Sequence, residues 1–228
     1  MSQDLSTDVK RFFDRKRPKN SYDIQEEILK YVVKMYPKHI NYAEVDVKVK
    51  LLNLFYSTGI EAIDKVTERI MSIKDIDSIL NREAHSKYLV DEISKLELKN
   101  GKTRTNYSFA TKYCAMHQPK KYPIFDSIVS KVLTKLFIDN KLHPYVYTRK
   151  KNKGIYEMTK KDFEFELRNY DSFVQIYKIF MHNFGLTHFS YRHVDWYIWG
   201  SYKDGKYTSE IEEIAPLNEG ADYSIIKQ

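Results

Sequence analysis

The sequence predicts a mainly α-helical, all-α fold. Glycine and proline are both scarce, at 7 and 6 of 228 residues. A chain so poor in breakers sustains long periodic segments. Apolar residues recur at three- and four-residue spacing along most of the chain, which is the helical period. A small β-hairpin is expected near 145–158, where VYT and GIYEM flank a basic loop.

Residues 1–20 are charged and are expected as an N-terminal arm or a loosely docked segment, 21–206 as the helical domain, and 207–228 as an irregular C-terminal tail. Residues 22–36 carry Ile24, Ile28, Leu29, Val32, Val33 and Tyr36 at helical spacing, and Pro37 ends them. Over 43–58, Val45, Val47 and Val49 alternate like a strand, whereas Val45, Val49, Leu52, Phe55 and Tyr56 align like a helix. The length favours the helix. Gly59 breaks it, and a helix with Ile60, Ile63, Val66, Ile70 and Ile73 follows. Residues 84–96 form another, with Tyr88, Leu89, Ile93 and Leu96 as its buried stripe. Leu98 to Lys102 contains Asn-Gly and reads as a turn; a hairpin of short strands is the alternative, but the neighbours do not alternate. The helix over 106–118 buries Phe109, Ala110, Tyr113, Cys114 and Met116 or His117. Further helices are expected at 160–168, 170–184 and 190–202, the last carrying Tyr191, Val194, Trp196, Tyr197 and Trp199.

The length suits one domain or one and a half. The net charge of +7 mildly favours a polyanionic partner. The 19 tyrosines suit base stacking, although most such rings serve as core. Cys114 is the single cysteine, which rules out an intramolecular disulfide and any cysteine-ligated cluster or zinc cage. No metal or cofactor is expected. No stretch resembles a signal peptide and no run of 18 apolar residues occurs, so a cytoplasmic protein is expected, nucleoid-associated in a prokaryote.

The stretch Asn106 to Leu133 carries the most chemistry. A helix leads into a basic Pro-bounded loop, then into a helix that opens on Asp126. Asp126 stands at the N-cap, after Pro123-Ile124-Phe125 and before Ile128, Val129, Val132, Leu133 and Leu136. Negative charge is stabilised there by the helix dipole and the unpaired N–H groups. Lys102, Arg104, Lys120 and Lys121 flank it, as expected where a polyanion approaches. Two helices joined by a Gly-containing turn, at Lys99–Thr105, can hold a DNA phosphate on backbone N–H groups. An ordinary helix corner explains those residues equally well.

The order of these parts resembles the helix–hairpin–helix DNA glycosylase superfamily, which includes endonuclease III and the 8-oxoguanine glycosylases. In that family the hairpin runs into a helix of small residues, and a loop then leads to a Pro-Val-Asp-Thr/Val-His-Val segment whose Asp is catalytic. The matching segments are SFATKYCAMH, QPKKY and Pro123 to Val129. LLNLFYSTGIEAIDKVTERI is similar to the family's helix end, where Asn53, Ser57 and Thr58 would face DNA or the helical gap. The resemblance covers about residues 43–140 and extends at most to 202. Three departures stand out. One extra residue separates the Pro from the Asp, Ile128 replaces the family His, and no lysine occurs over Asn106 to Ser108. Lys112, one turn later, is the remaining candidate for a Schiff-base amine.

The resemblance implies a two-lobed helical protein, a monomer acting on double-stranded DNA. It would excise a modified, damaged or mismatched base by flipping it into a pocket between the lobes. Asp126 would stabilise the oxocarbenium-like sugar or activate water. Without the lysine, base excision would proceed with no covalent amine intermediate. Tyr113, His117, Trp196 and Trp199 would stack on or contact the base. Arg149, Lys150, Lys151 and Lys153 would meet phosphates. The rival expectation is a non-catalytic DNA-binding protein of the same fold, serving as a subunit in a repair or defence assembly. A protein-interaction domain is a third.

Overall fold

The computed structural model describes residues 5–14, 21–97, 101, 103–139, 142, 148–151 and 154–203. In chain order the elements are α1 (Leu5–Asp14), α2 (Ser21–Met35), α3 (Tyr42–Tyr56), α4 (Ile63–Ser72), α5 (Ile76–Leu80), α6 (Lys87–Ser94), β1 (Lys95–Glu97), β2 (Thr103–Thr105), α7 (Tyr107–His117), α8 (Ser127–Ile138), β3 (Thr148–Lys151), β4 (Gly154–Glu157), α9 (Lys160–Glu166), α10 (Tyr170–Asn183) and α11 (Tyr191–Lys203). The fold is mainly helical, with two antiparallel pairs of strands. The chain divides into two compact units. One is contiguous, Lys16–Phe125, and the other is split, Met1–Arg15 with Asp126–Gln228. No helix among the described residues is long and apolar enough to cross a membrane.

In the contiguous unit α3 is the central helix. Val45, Val49 and Leu52 are fully buried, so the helical alignment prevails over the alternating one. Asn41 starts α3 by accepting the Ala43 N–H at 2.9 Å. Ser57 ends it in the left-handed region. Asn53 then fixes the loop beyond. Its Nδ2 donates to the Ile60 carbonyl at 2.9 Å, and its Oδ1 accepts from Thr58 Oγ1 at 2.7 Å and the Ile60 N–H at 3.0 Å.

Three expectations change in this unit. The segment after α6 is a β-hairpin and not a bare turn, with Lys95 opposite Thr105, Leu96 opposite Arg104 and Glu97 opposite Thr103. All three β2 residues are exposed, so no alternation of apolar residues marks the strand. Tyr88 is exposed on α6, and Val90 takes its place beside Leu89 and Ile93 in the core. On α2 only Leu29 and Val32 are buried, whereas Ile24 and Ile28, and Tyr36 just beyond the helix, face solvent.

The split unit is built on α10, whose Tyr170, Phe173, Val174, Ile176, Tyr177 and Phe180 are buried. Thr159 and Asp162 form a reciprocal capping box at α9. Phe137 of α8 stacks on Phe163 of α9 at 4.2 Å. The first residues, expected as an arm, contain α1, which buries Leu5 and Val9. Gly200 on α11 accommodates Phe12 of α1, whose ring would lie 2.8 Å from a Cβ there. Helix α1 is therefore a packed element of this unit. The tail expected over 207–228 lies outside the described residues.

Candidate functional site

Asp126 is positioned from both sides along the chain. Before it, Tyr122, Pro123 and Ile124 are buried. The Thr111 hydroxyl of α7 accepts the Phe125 N–H at 3.1 Å, which ties down the residue preceding Asp126. After it, α8 begins, and Asp126 Oδ1 accepts the N–H groups of Ile128 at 2.9 Å and Val129 at 2.8 Å. Its backbone is extended, as an N-cap requires. The side chain is half-buried. One carboxylate oxygen is thus spent on the helix, and Oδ2 accepts no hydrogen bond among the described residues. Such a carboxylate is fixed in orientation, is held at a helix N-terminus and keeps one oxygen for another partner.

Lys112 does not extend into water. It is 7% exposed, its Nζ donates to Ser108 Oγ at 3.0 Å, and it lies 5.3 Å from the centre of the Tyr56 ring. Lys112 belongs to the contiguous unit and Asp126 opens the second part of the split one.

Tyr113 and His117, expected to contact a base, lie together in a polar cluster with His39. Tyr113 is fully buried, and its hydroxyl lies 2.8 Å from His39 Nε2. His39 Nδ1 lies 2.6 Å from Asp77 Oδ1, and the His39 N–H donates to Asp77 Oδ2 at 3.2 Å. Asp77 must accept the Nδ1 proton, so Nε2 accepts from the tyrosine; the tautomer is assigned from these partners. The His117 ring is 4.8 Å from His39 and 5.1 Å from Tyr113, and its buried Nε2 has no partner. Burial lowers the pKa of His39, with Lys48 adding to the shift and Asp77 opposing it. Burial, then His39 and Lys48, lowers that of His117 well below the usual imidazole range. Lys48 is itself fully buried and donates to the carbonyls of Tyr36 at 3.1 Å and Lys38 at 3.0 Å. Burial brings its ammonium down to about 8.

This Asp77–His39–Tyr113 relay is structural. It ends on a phenol sealed from solvent, whose pKa burial raises. The sequence reading missed His39, Asp77 and Lys48. The relay partners of His39 lie 38 and 74 residues away, and no local signal pairs them.

The other expected residues divide by location. Asn53 spends its carboxamide on its own loop, which replaces the DNA-facing role with a structural one. Ser57 is exposed at the end of α3. Trp196 and Trp199 are half-buried on α11 in the split unit. The Arg192 guanidinium lies 5.5 Å from the Trp196 ring, and Phe13 stacks on the same ring at 6.4 Å. Arg104 and Lys120 are exposed, whereas Lys121 Nζ donates to the Arg82 carbonyl at 2.5 Å. Arg149, Lys150 and Lys151 stand on strand β3 and not at a hairpin tip, because they pair with Tyr156, Ile155 and Gly154. Lys102 and Lys153 lie outside the described residues. Among the described residues no group of three or more His, Cys, Asp or Glu is placed to hold a metal ion.

Comparison with known proteins places this chain in a family. The model of the HI_0787_N N-terminal domain matches residues 7–121, and the chain belongs to that family. The matched stretch includes nearly all of the contiguous unit and stops before Asp126. The chain is also 32% identical over 151 residues to an uncharacterized protein of Haemophilus influenzae, a match covering 66% of this chain and 62% of that relative. No solved structure matches.

Proposed function

We propose that the protein is a monofunctional DNA glycosylase that flips a modified, damaged or mismatched base from the duplex and uses Asp126 as its catalytic carboxylate. The observation that carries this reading is the Asp126 geometry. Two N–H groups anchor Oδ1, and Oδ2 is left to face a developing positive charge or an attacking water. The likeness to the glycosylase order of parts, hairpin to helix to capping Asp, adds to it. Lys112 is placed on Ser108 and Tyr56, which supports excision without an amine intermediate. The protein would act in the cytoplasm, nucleoid-associated in a prokaryote, with exposed Arg104 and Lys120 among its phosphate contacts.

The test is base release from labelled duplexes carrying a panel of lesions and modified bases, read by alkaline cleavage, with Asp126→Asn alongside. Abasic sites from the parent and not from the variant are expected. Strand cleavage without alkali would return Lys112 to a covalent role.

A second reading, DNA binding without catalysis, draws on the β1–β2 hairpin. That ladder joins α6 to α7 where a phosphate-holding turn was expected, and the Asn106 N–H closes it on the Ser94 carbonyl at 2.8 Å. Salt-sensitive binding with no release from any duplex would favour it.

A further inference from the structure

Helix α2 carries an exposed apolar stripe and, beside it, a stripe of charges. Ile24, Ile28, Tyr31 and Met35 recur at spacings of four, three and four, which puts them on one face. They are 49%, 37%, 64% and 52% exposed. The core side of the helix is a different face, carrying Leu29 and Val32. A continuous exposed apolar stripe of this kind marks an interaction surface more often than scattered single residues do. Beyond the helix end, Tyr36 and Ile40 are also exposed.

The second stripe says what covers the first. Asp23, Glu27, Lys30 and Lys34 repeat the same four, three, four spacing one residue earlier, so they flank the apolar face along its length. The charges are segregated, with both acids in the first half and both bases in the second. Two copies of α2 packed antiparallel about a two-fold axis bring like flanks together with their ends reversed. Ile28 then meets Tyr31 of the other copy, and Ile24 meets Met35. On the flank, Asp23 meets Lys34 and Glu27 meets Lys30, which also lies 3.6 Å from Glu26 of its own helix, so opposite charges face each other across the pair. The stripe is complementary to its own two-fold image.

We propose that α2 is a dimerisation surface and that its occupant is α2 of a second copy of this chain, packed antiparallel. This replaces the monomer expected from sequence. One helix face is small against the roughly 800 Å² per partner of a standard interface, so the dimer is expected to be in rapid, concentration-dependent exchange.

Sedimentation of the full chain over a wide concentration series tests this. The parent should shift from monomer to dimer with rising concentration. Ile28→Glu with Tyr31→Glu should keep it monomeric, with an unchanged circular dichroism spectrum because both positions are exposed. Asp23→Lys with Glu27→Lys makes the flank wholly basic, and Lys30→Glu with Lys34→Glu makes it wholly acidic. Each variant alone should dimerise at least about tenfold more weakly, since like charges then oppose. An equimolar mixture of the two should dimerise at least as well as the parent. A parent that stays monomeric throughout would overturn the proposal and leave the stripe to a different partner. A dimer indifferent to the apolar pair, or a mixture no better than its components, would overturn it equally.

Discussion

At Asp126 two backbone N–H groups converge on one carboxylate oxygen, and that division of labour separates stability from chemistry. Asp126→Ala removes the cap and is expected to cost about 1 kcal/mol in urea unfolding. Asp126→Asn keeps an amide oxygen for the same N–H groups, so its melting temperature should stay near that of the parent. Its base release should nevertheless fall by at least about 100-fold, because a neutral group cannot replace a carboxylate opposite positive charge. The buried relay makes a contrasting prediction. Tyr113→Phe leaves His39 Nε2 without its donor in a dry site and should cost about 1–3 kcal/mol in the same measurement.

Among the elements, those signalled locally were legible. The N-cap at Asp126 could be read because it needs only a short polar residue before an apolar helical run. The α3 helix could be read because its apolar set fits the helical period. The β1–β2 hairpin could be read only as the alternative to a bare turn, since its strands are short and β2 is wholly exposed. Helix α2 was legible as a helix but not as to which face it buries, because apolar residues occupy both its core and its solvent side. Asn53 looked like a DNA-facing polar residue and proves to be the fastener of the α3–α4 loop. Asn53→Ala strips that loop of three hydrogen bonds and is expected to destabilise the contiguous unit by about 2 kcal/mol. Chemical denaturation followed by circular dichroism reads this directly.

Across the whole molecule, charge and titration set the response to solvent. His39 and His117 have folded pKa values below the ordinary 6.5. As pH falls through 6.5, the unfolded chain takes up protons that the folded chain refuses. Their contribution to stability is therefore complete above about 6.5 and is lost progressively below it. Glu92, lowered from 4.5 chiefly by Lys95, adds its own loss only below 4.5. The melting temperature should thus fall between pH 6.5 and 5, and less steeply in His117→Phe. If the protein binds duplex DNA through its +7 charge, the logarithm of its affinity should fall linearly with the logarithm of salt concentration. An Arg104→Ala, Lys120→Ala variant should show a shallower slope, by about 2.

The most direct test of the catalytic reading is the single-turnover rate of abasic-site formation, compared between the parent and Asp126→Asn on whichever lesion duplex loses its base fastest to the parent. The account predicts measurable release by the parent and a loss of at least about 100-fold in the variant, with unchanged DNA affinity. Equal rates in the two proteins, or no release from any lesion duplex by a folded parent that still binds DNA, would contradict it.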